Sequence, residues 1–331
     1  MNTVTRVAIE TWRSVAGKSS TLETYFRHRR RKQVRREKGP AFVQTSGKGF
    51  VVLESRTNRE PRKGVLLRGG CDLPSMFVAA RFIREKIRGT LAIASEATPA
   101  ELGSHRTDLI LQGLLNTPEE RLIESTSRLG LGHRYFTDRF FTEPDFALDQ
   151  LPGSPRFPKS VVVLSVGSDL VRTVYRHREH GFLVDPGGTW LNQLNGNVMP
   201  DPEEAKWFGG KFQNAGRISV DEFSANLVKI ATMLKSNLGA ELIVYNTLVI
   251  DPLNPTYNYH MSPRTEMIRR REFNIALKEL SARHNFHVLD VDRILKLQGV
   301  RQQVDFAHFP ASQMGAIGFE AFRILEELEV V

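Results

Sequence analysis

Only one cysteine, Cys71, occurs in the 331 residues, so no disulfide framework holds the fold together. No stretch approaches the roughly 18 to 20 consecutive apolar residues that a bilayer span needs. The opening Met1-Asn2-Thr3-Val4-Thr5-Arg6 also lacks a charged-then-apolar leader. A soluble protein of a reducing cytoplasm is therefore expected. Internal repeats and low-complexity tracts are missing as well. What is present is ordinary for a globular chain: hydrophobic residues make up 40% and charged residues 25%, enough for one large α/β domain with extensions or for two small domains.

The net charge of +9 is unevenly placed. Residues 1–64 hold 16 Lys or Arg and 5 Asp or Glu, a surplus of +11, which leaves about −2 for everything after them. The densest part runs from Arg27 to Lys38 as RHRRRKQVRREK. Such a block is either a solvated arm or a contact for an anionic partner, nucleic acid or a membrane face, by counterion release. Before it, Val4, Val7, Ala8, Trp12 and Val15 recur at the spacing of one helical face, which fits docking on the protein's own core or else on a partner or a bilayer surface.

Ala41–Thr45 and Phe50–Glu54 flank Ser46-Gly47-Lys48-Gly49, which predicts a β-hairpin accessory to the core. From Val65 onward, short apolar runs alternate with helical periodicity. Strands are expected at 65–68, 90–94, 161–166, 241–245 and 286–290, and helices near 73–88, 219–237, 264–284 and 312–328. Runs such as Val161-Val162-Val163-Leu164 are apolar on both strand faces, as parallel strands covered by helices on both sides require. The expected fold is a three-layer α/β/α, doubly wound, flavodoxin-like parallel sheet over 65–331, with 1–64 as a basic N-terminal extension. Ligands of such sheets bind beyond the carboxyl ends of the strands, which directs attention to the loops there. An insertion at 171–217, rich in Gly, Asn and aromatics including Trp190, Trp207, Phe208 and Phe212, predicts a lid or substrate wall.

Two loops carry residues suited to nucleophilic and acid–base chemistry. The first strand breaks into Arg68-Gly69-Gly70-Cys71-Asp72-Leu73-Pro74, where a glycine pair before a helix start exposes one side chain above the sheet. That side chain is Cys71. Helix-terminal N–H groups favour its thiolate, while the adjacent Asp72 charge opposes it. The alternative is a small buried hydrophobe. Near the C-terminus, Val304-Asp305-Phe306-Ala307-His308-Phe309-Pro310 precedes the last helix. An Asp three residues before a His can accept the imidazole N–H, fixing the tautomer that turns the other nitrogen toward a nucleophile. His177 and His180 share a three-residue spacing, but the arginines around them argue against a cation site. Asp290 and Asp292 read as a cap or an ion pair with Arg293, and Asn274 and His284 as ordinary helix residues. No metal or cofactor is implied.

The combination of Gly69-Gly70-Cys71-Asp72-Leu73 at the first strand and Asp305-x-x-His308 before the last helix resembles the SGNH hydrolases, also called the GDSL family. The likeness covers about 65–328. It puts Cys71 in the place of the family's nucleophilic serine, as in branches such as the GSCFA-type domains with a Gly-Ser-Cys motif. The resemblance also implies a third block at Gly167-Ser168-Asp169-Leu170, where Asp169 replaces an asparagine whose N–H₂ donates to the oxyanion, and a second-block glycine at Gly103, with Gly113 next. An ionised aspartate accepts and cannot donate, so the donor would come from a protonated Asp169, from Asn192, Asn195 or Asn197, or from a backbone N–H.

From these residues the expected function is hydrolysis or transfer of an acyl ester on a carbohydrate-like or small-metabolite substrate. Cys71 is the nucleophile, His308 the base and Asp305 its orienting acid; Gly70, Gly103, Gly167, Asp169, Trp190 and Asn195 form the oxyanion and substrate contacts. The competing expectations are a binding or scaffold protein that keeps the fold without turnover, and a nucleic-acid-associated factor led by the basic block.

Overall fold

In the computed structural model, the described residues are 35–38, 42–47, 50–55, 63–70, 72–79, 90–95, 105–115, 160–185, 202–250, 253, 264–299 and 309–331. Their strands are β1 (Arg35–Lys38), β2 (Phe42–Gly47), β3 (Phe50–Ser55), β4 (Lys63–Arg68), β5 (Thr90–Ser95), β6 (Ser160–Ser165), β7 (Val174–His177), β8 (Leu183–Val184), β9 (Phe212–Gly216), β10 (Glu241–Tyr245) and β11 (His287–Leu289). The helices are α1 (Asp72–Ala79), α2 (Thr107–Leu114), α3 (Gly167–Val171), α4 (Pro202–Lys211), α5 (Val220–Leu238), α6 (Arg264–His284), α7 (Val291–Gln298) and α8 (Ala311–Glu327).

Val161 to Val166 is buried at every position, and strand alternation explains why both faces are apolar. Leu66, Val162, Leu164, Leu242 and Val244 point to one side, where they meet Ile110 and Leu114 of α2, Phe223, Leu227 and Ile230 of α5 and Phe273 and Leu277 of α6. Val65, Leu67, Val161, Val163 and Ile243 point to the other side, against Leu73 and Met76 of α1, Leu295 of α7 and Met314, Ile317 and Phe322 of α8. The result is three layers.

Among the described residues the main sheet runs β1-β2-β3-β5-β4-β6-β10-β11. Its parallel part, β5-β4-β6-β10-β11, is the 2-1-3-4-5 order of a flavodoxin-like doubly wound sheet. The switch point, where successive crossovers leave on opposite sides, therefore lies between β4 and β6. That expectation from sequence holds, and so do the helices expected near 219, 264 and 312. The helix expected over 73–88 is described only as far as Ala79.

Two expectations need correction. The hairpin over 41–54 is not accessory: β3 pairs antiparallel with β5, and β2 and β1 continue the same sheet outward. Arg35–Lys38, at the end of the basic block, forms the outer strand β1. An alternating apolar hairpin beside a parallel sheet can extend its edge, a pairing that local sequence does not specify. Residues 1–34 lie outside the described residues. The insertion at 171–217 is likewise more than a loop, because β8-β7-β9 form a second, three-stranded sheet. Phe182, Phe208 and Phe212 build its core with Leu109, Val174, Leu183 and Val184, and Trp207 packs against them. Aromatics read as substrate wall thus include core residues.

Candidate active site

β4 ends at Arg68 and the chain turns through Gly69 and Gly70 toward α1. Gly69 is there for want of space. A Cβ on Gly69 would stand 2.6 Å from the Cβ of Ser165 and 2.7 Å from Leu73 Cδ1, and one on Gly70 would stand 2.8 Å from Asp72 Oδ1. Ser165 closes β6, so Gly69 marks the close approach of the two strands at the switch point. The Ser165 hydroxyl donates to Asp72 Oδ2 at 3.4 Å and accepts the N–H of Gly167 at 3.3 Å. The turns after β4 and β6 are joined through one serine.

A small cleft opens at this carboxyl edge, lined by residues that include Asp72, Ser165, Gly167, Leu170, Asn246, Thr247, Arg270 and Phe309. Asp72 directly follows Cys71 and Phe309 directly follows His308. The helices that begin beyond them, α1 and α8, pack together, with the rings of Phe77 and Phe322 edge-on at 5.5 Å. Cys71, Asp305, His308, Gly103, Trp190 and Asn195 themselves lie outside the described residues, as do Asn192 and Asn197.

Of the remaining expected contacts, Gly167 lines the cleft, and Gly70 lies in the turn leading to it. Asp169 is different. It is 1% exposed and is not among the cleft-lining residues; its Oδ1 accepts the Thr107 N–H at 2.9 Å and the Thr107 hydroxyl at 2.8 Å. Oδ1 is thus directed at the start of α2. Burial, opposed by those two hydrogen bonds, pushes its pKa up to about 7. Its Oδ2 has no hydrogen-bond partner.

Two arginines fix this region. Arg106 forms a bidentate pair with Asp108 and donates to the carbonyls of Arg172 and Gly216, each at 2.8 Å. Arg269 donates to the carbonyls of Asp169 at 2.8 Å, Leu170 at 3.1 Å and Ile218 at 2.6 Å. Both ends of the small-sheet insertion are therefore pinned to the main domain. Within it, His177 packs as a core ring, stacked on His180 and Phe182 at 4.8 Å each, and its Nδ1 accepts the N–H groups of Glu179 and His180.

The wall after β10 contains residues that the sequence reading passed over. Asn246 Nδ2 donates to Asp290 Oδ1 at 2.9 Å, and its Oδ1 accepts from Asp292 N–H at 3.3 Å. Asn274, read as an ordinary helix residue, grips Thr247 through both backbone groups, donating to its carbonyl at 2.7 Å and accepting its N–H at 3.3 Å. Arg270 donates to the Thr247 hydroxyl at 2.7 Å and to the Leu248 carbonyl. Asp290 caps α7 by accepting the Arg293 N–H. The signal available for them was position: Ser165 and Asn246 are polar residues at the carboxyl ends of apolar strands, where ligands of this topology bind.

No protein-family model matches the chain, and no curated protein matches it. Solved structures similar to it include a variant of an acetylxylan esterase from Geobacillus stearothermophilus, 7% identical, with a TM-score of 0.37 over 80% of this chain and 94% of that one. They also include a GDSL-like lipase from Parabacteroides merdae, 8% identical, with a TM-score of 0.37 over 83% and 99%. A third is phospholipase A1 from Streptomyces albidoflavus, 10% identical, with a TM-score of 0.37 over 80% and 98%. The strand order by itself defines the class: a doubly wound α/β protein with a cleft at its switch point.

Proposed function

We propose that this chain cleaves or transfers acyl esters, with Cys71 as nucleophile, His308 as base and Asp305 as the acid that orients it. The supporting observation is that Asp72 and Phe309, the immediate neighbours of Cys71 and His308 but distant in sequence, line one cleft at the switch point. In this reading His308 takes the thiol proton, the sulfur attacks the ester carbonyl, and the carbonyl electron pair moves onto oxygen. Collapse of that intermediate breaks the C–O bond and leaves a thioester on Cys71. His308 returns the proton to the departing alkoxide. Water, or a second hydroxyl, then attacks the thioester and regenerates the thiol, which is the difference between hydrolysis and transfer. The polar wall of Ser165, Asn246, Thr247 and Arg270 suits a hydroxyl-bearing substrate, in line with a carbohydrate-like or small-metabolite ester.

The test is steady-state turnover of p-nitrophenyl acetate by the wild type and by Cys71→Ala and His308→Ala. The expected result is turnover in the wild type that falls to background in both variants. Equal rates in all three proteins reject the enzyme reading and favour a fold retained for binding.

A further inference from the structure

α6 packs on the main sheet and on α5 through one face, where Met267, Arg270, Phe273 and Leu277 are buried. At about 100° per residue, the positions opposite that face are Arg264, Ile268, Arg271, Glu272, Ile275 and Glu279. All six are exposed. Ile268 and Ile275 stand two turns apart on one line and are 45% and 52% exposed, so the outer face carries an apolar strip that the fold leaves in solvent. Four charges border it, and none of them is ion-paired to another described residue.

The order of these residues is its own complement. Counted outward from the midpoint between Arg271 and Glu272, Ile268 stands as far one way as Ile275 the other, and Arg264 as far as Glu279. A two-fold axis through that midpoint, perpendicular to the helix, lays an antiparallel copy of the stripe on itself. Isoleucine then meets isoleucine along the middle, and each arginine meets a glutamate at the margin. Lys278, beside the stripe, meets Thr265, so no like charges are opposed. An apolar middle with a complementary charged rim is the anatomy of a protein interface. A surface of one charge sign, such as a nucleic acid, would meet glutamates as often as arginines.

We propose that two copies of this chain pair through the outer face of α6. Ile268 lies against the partner's Ile275, Arg271 against the partner's Glu272, and Arg264 against the partner's Glu279. A contact confined to a stripe about 22 Å long is smaller than the standard interface of roughly 1,600 Å², so the dimer is weak and concentration-dependent. It is separate from the acyl chemistry, because none of the six residues lines the cleft.

Sedimentation equilibrium of the full chain, over a concentration series from the low micromolar upward, tests the pairing. The wild type is expected to pass from monomer to dimer as concentration rises. Ile275→Asp, which puts two carboxylates into the apolar middle, is expected to stay monomeric. Arg271→Glu sets a carboxylate against the partner's Glu272 at two places and should weaken the dimer about tenfold or more. Adding Glu272→Arg to Arg271→Glu restores opposite charges and should recover wild-type association. These positions are exposed, and far-UV circular dichroism checks that the helix is kept. A wild type that remains monomeric overturns the proposal and leaves the face to another occupant, such as residues 1–34 of the same chain. A dimer indifferent to Ile275→Asp forms elsewhere and overturns it too, as does a double substitution that fails to recover what Arg271→Glu lost.

Discussion

At the scale of single residues, the site is built from side chains whose partners matter more than their types. Asp169 shows this: in sequence it stands where the resemblance expects an asparagine, and its role depends on Thr107, 62 residues earlier. No spacing rule reaches that contact. Its pKa of about 7, against an ordinary 3.8, means that between those values the folded protein keeps a proton that the unfolded chain has released. Stability therefore falls as pH rises from about 4 to about 7 and levels off above, with a penalty on the order of a few kcal/mol. Asp169→Asn removes the ionisation and keeps an oxygen that can accept from Thr107. Melting curves at about pH 5 and about pH 8 should show the wild type losing more stability than Asp169→Asn over that interval. Parallel pH dependence in the two proteins would contradict a buried, titrating carboxyl.

At the scale of elements, local pattern was a good guide wherever burial is two-sided. The strands near 161 and 241 and the helices α5 and α6 lie where apolar periodicity puts them, and α5 is further defined by a Ser219/Glu222 capping box and a left-handed Gly239. The small sheet of the insertion was not visible in the sequence because its strands are short; Leu183–Val184 is too brief to register as a period. Its aromatics look like a ligand surface until Phe208 and Phe212 are seen stacked at 4.9 Å inside it. A core contact between elements gives a direct check. Phe273 of α6 is fully buried with its ring 4.6 Å from Phe223 of α5, and the Arg269 guanidinium lies 4.7 Å from its centre. Phe273→Ala should lower the urea-unfolding free energy by about 3–5 kcal/mol. A loss below about 1 kcal/mol would mean that the two helices do not pack through this pair.

For the whole molecule, chain order and spatial order meet at one place. The doubly wound topology was legible because β and α patterns alternate and right-handed crossovers leave few arrangements. Less legible was the antiparallel edge, where β3 joins β5 and carries β2 and the basic β1 outward, since edge pairing is a property of the sheet and not of the strand. The consequence for function is that Asp72 and Phe309, far apart in the sequence, line one switch-point cleft. Trapping the acyl-enzyme tests most directly whether the chemistry sits there. The protein is mixed with p-nitrophenyl acetate, quenched in acid within the first turnovers, digested and weighed by mass spectrometry. The account predicts one acetyl group on the peptide that contains Cys71, formed much more slowly in His308→Ala. Product released with no acetyl on that peptide, or acetylation that ignores the loss of His308, contradicts it.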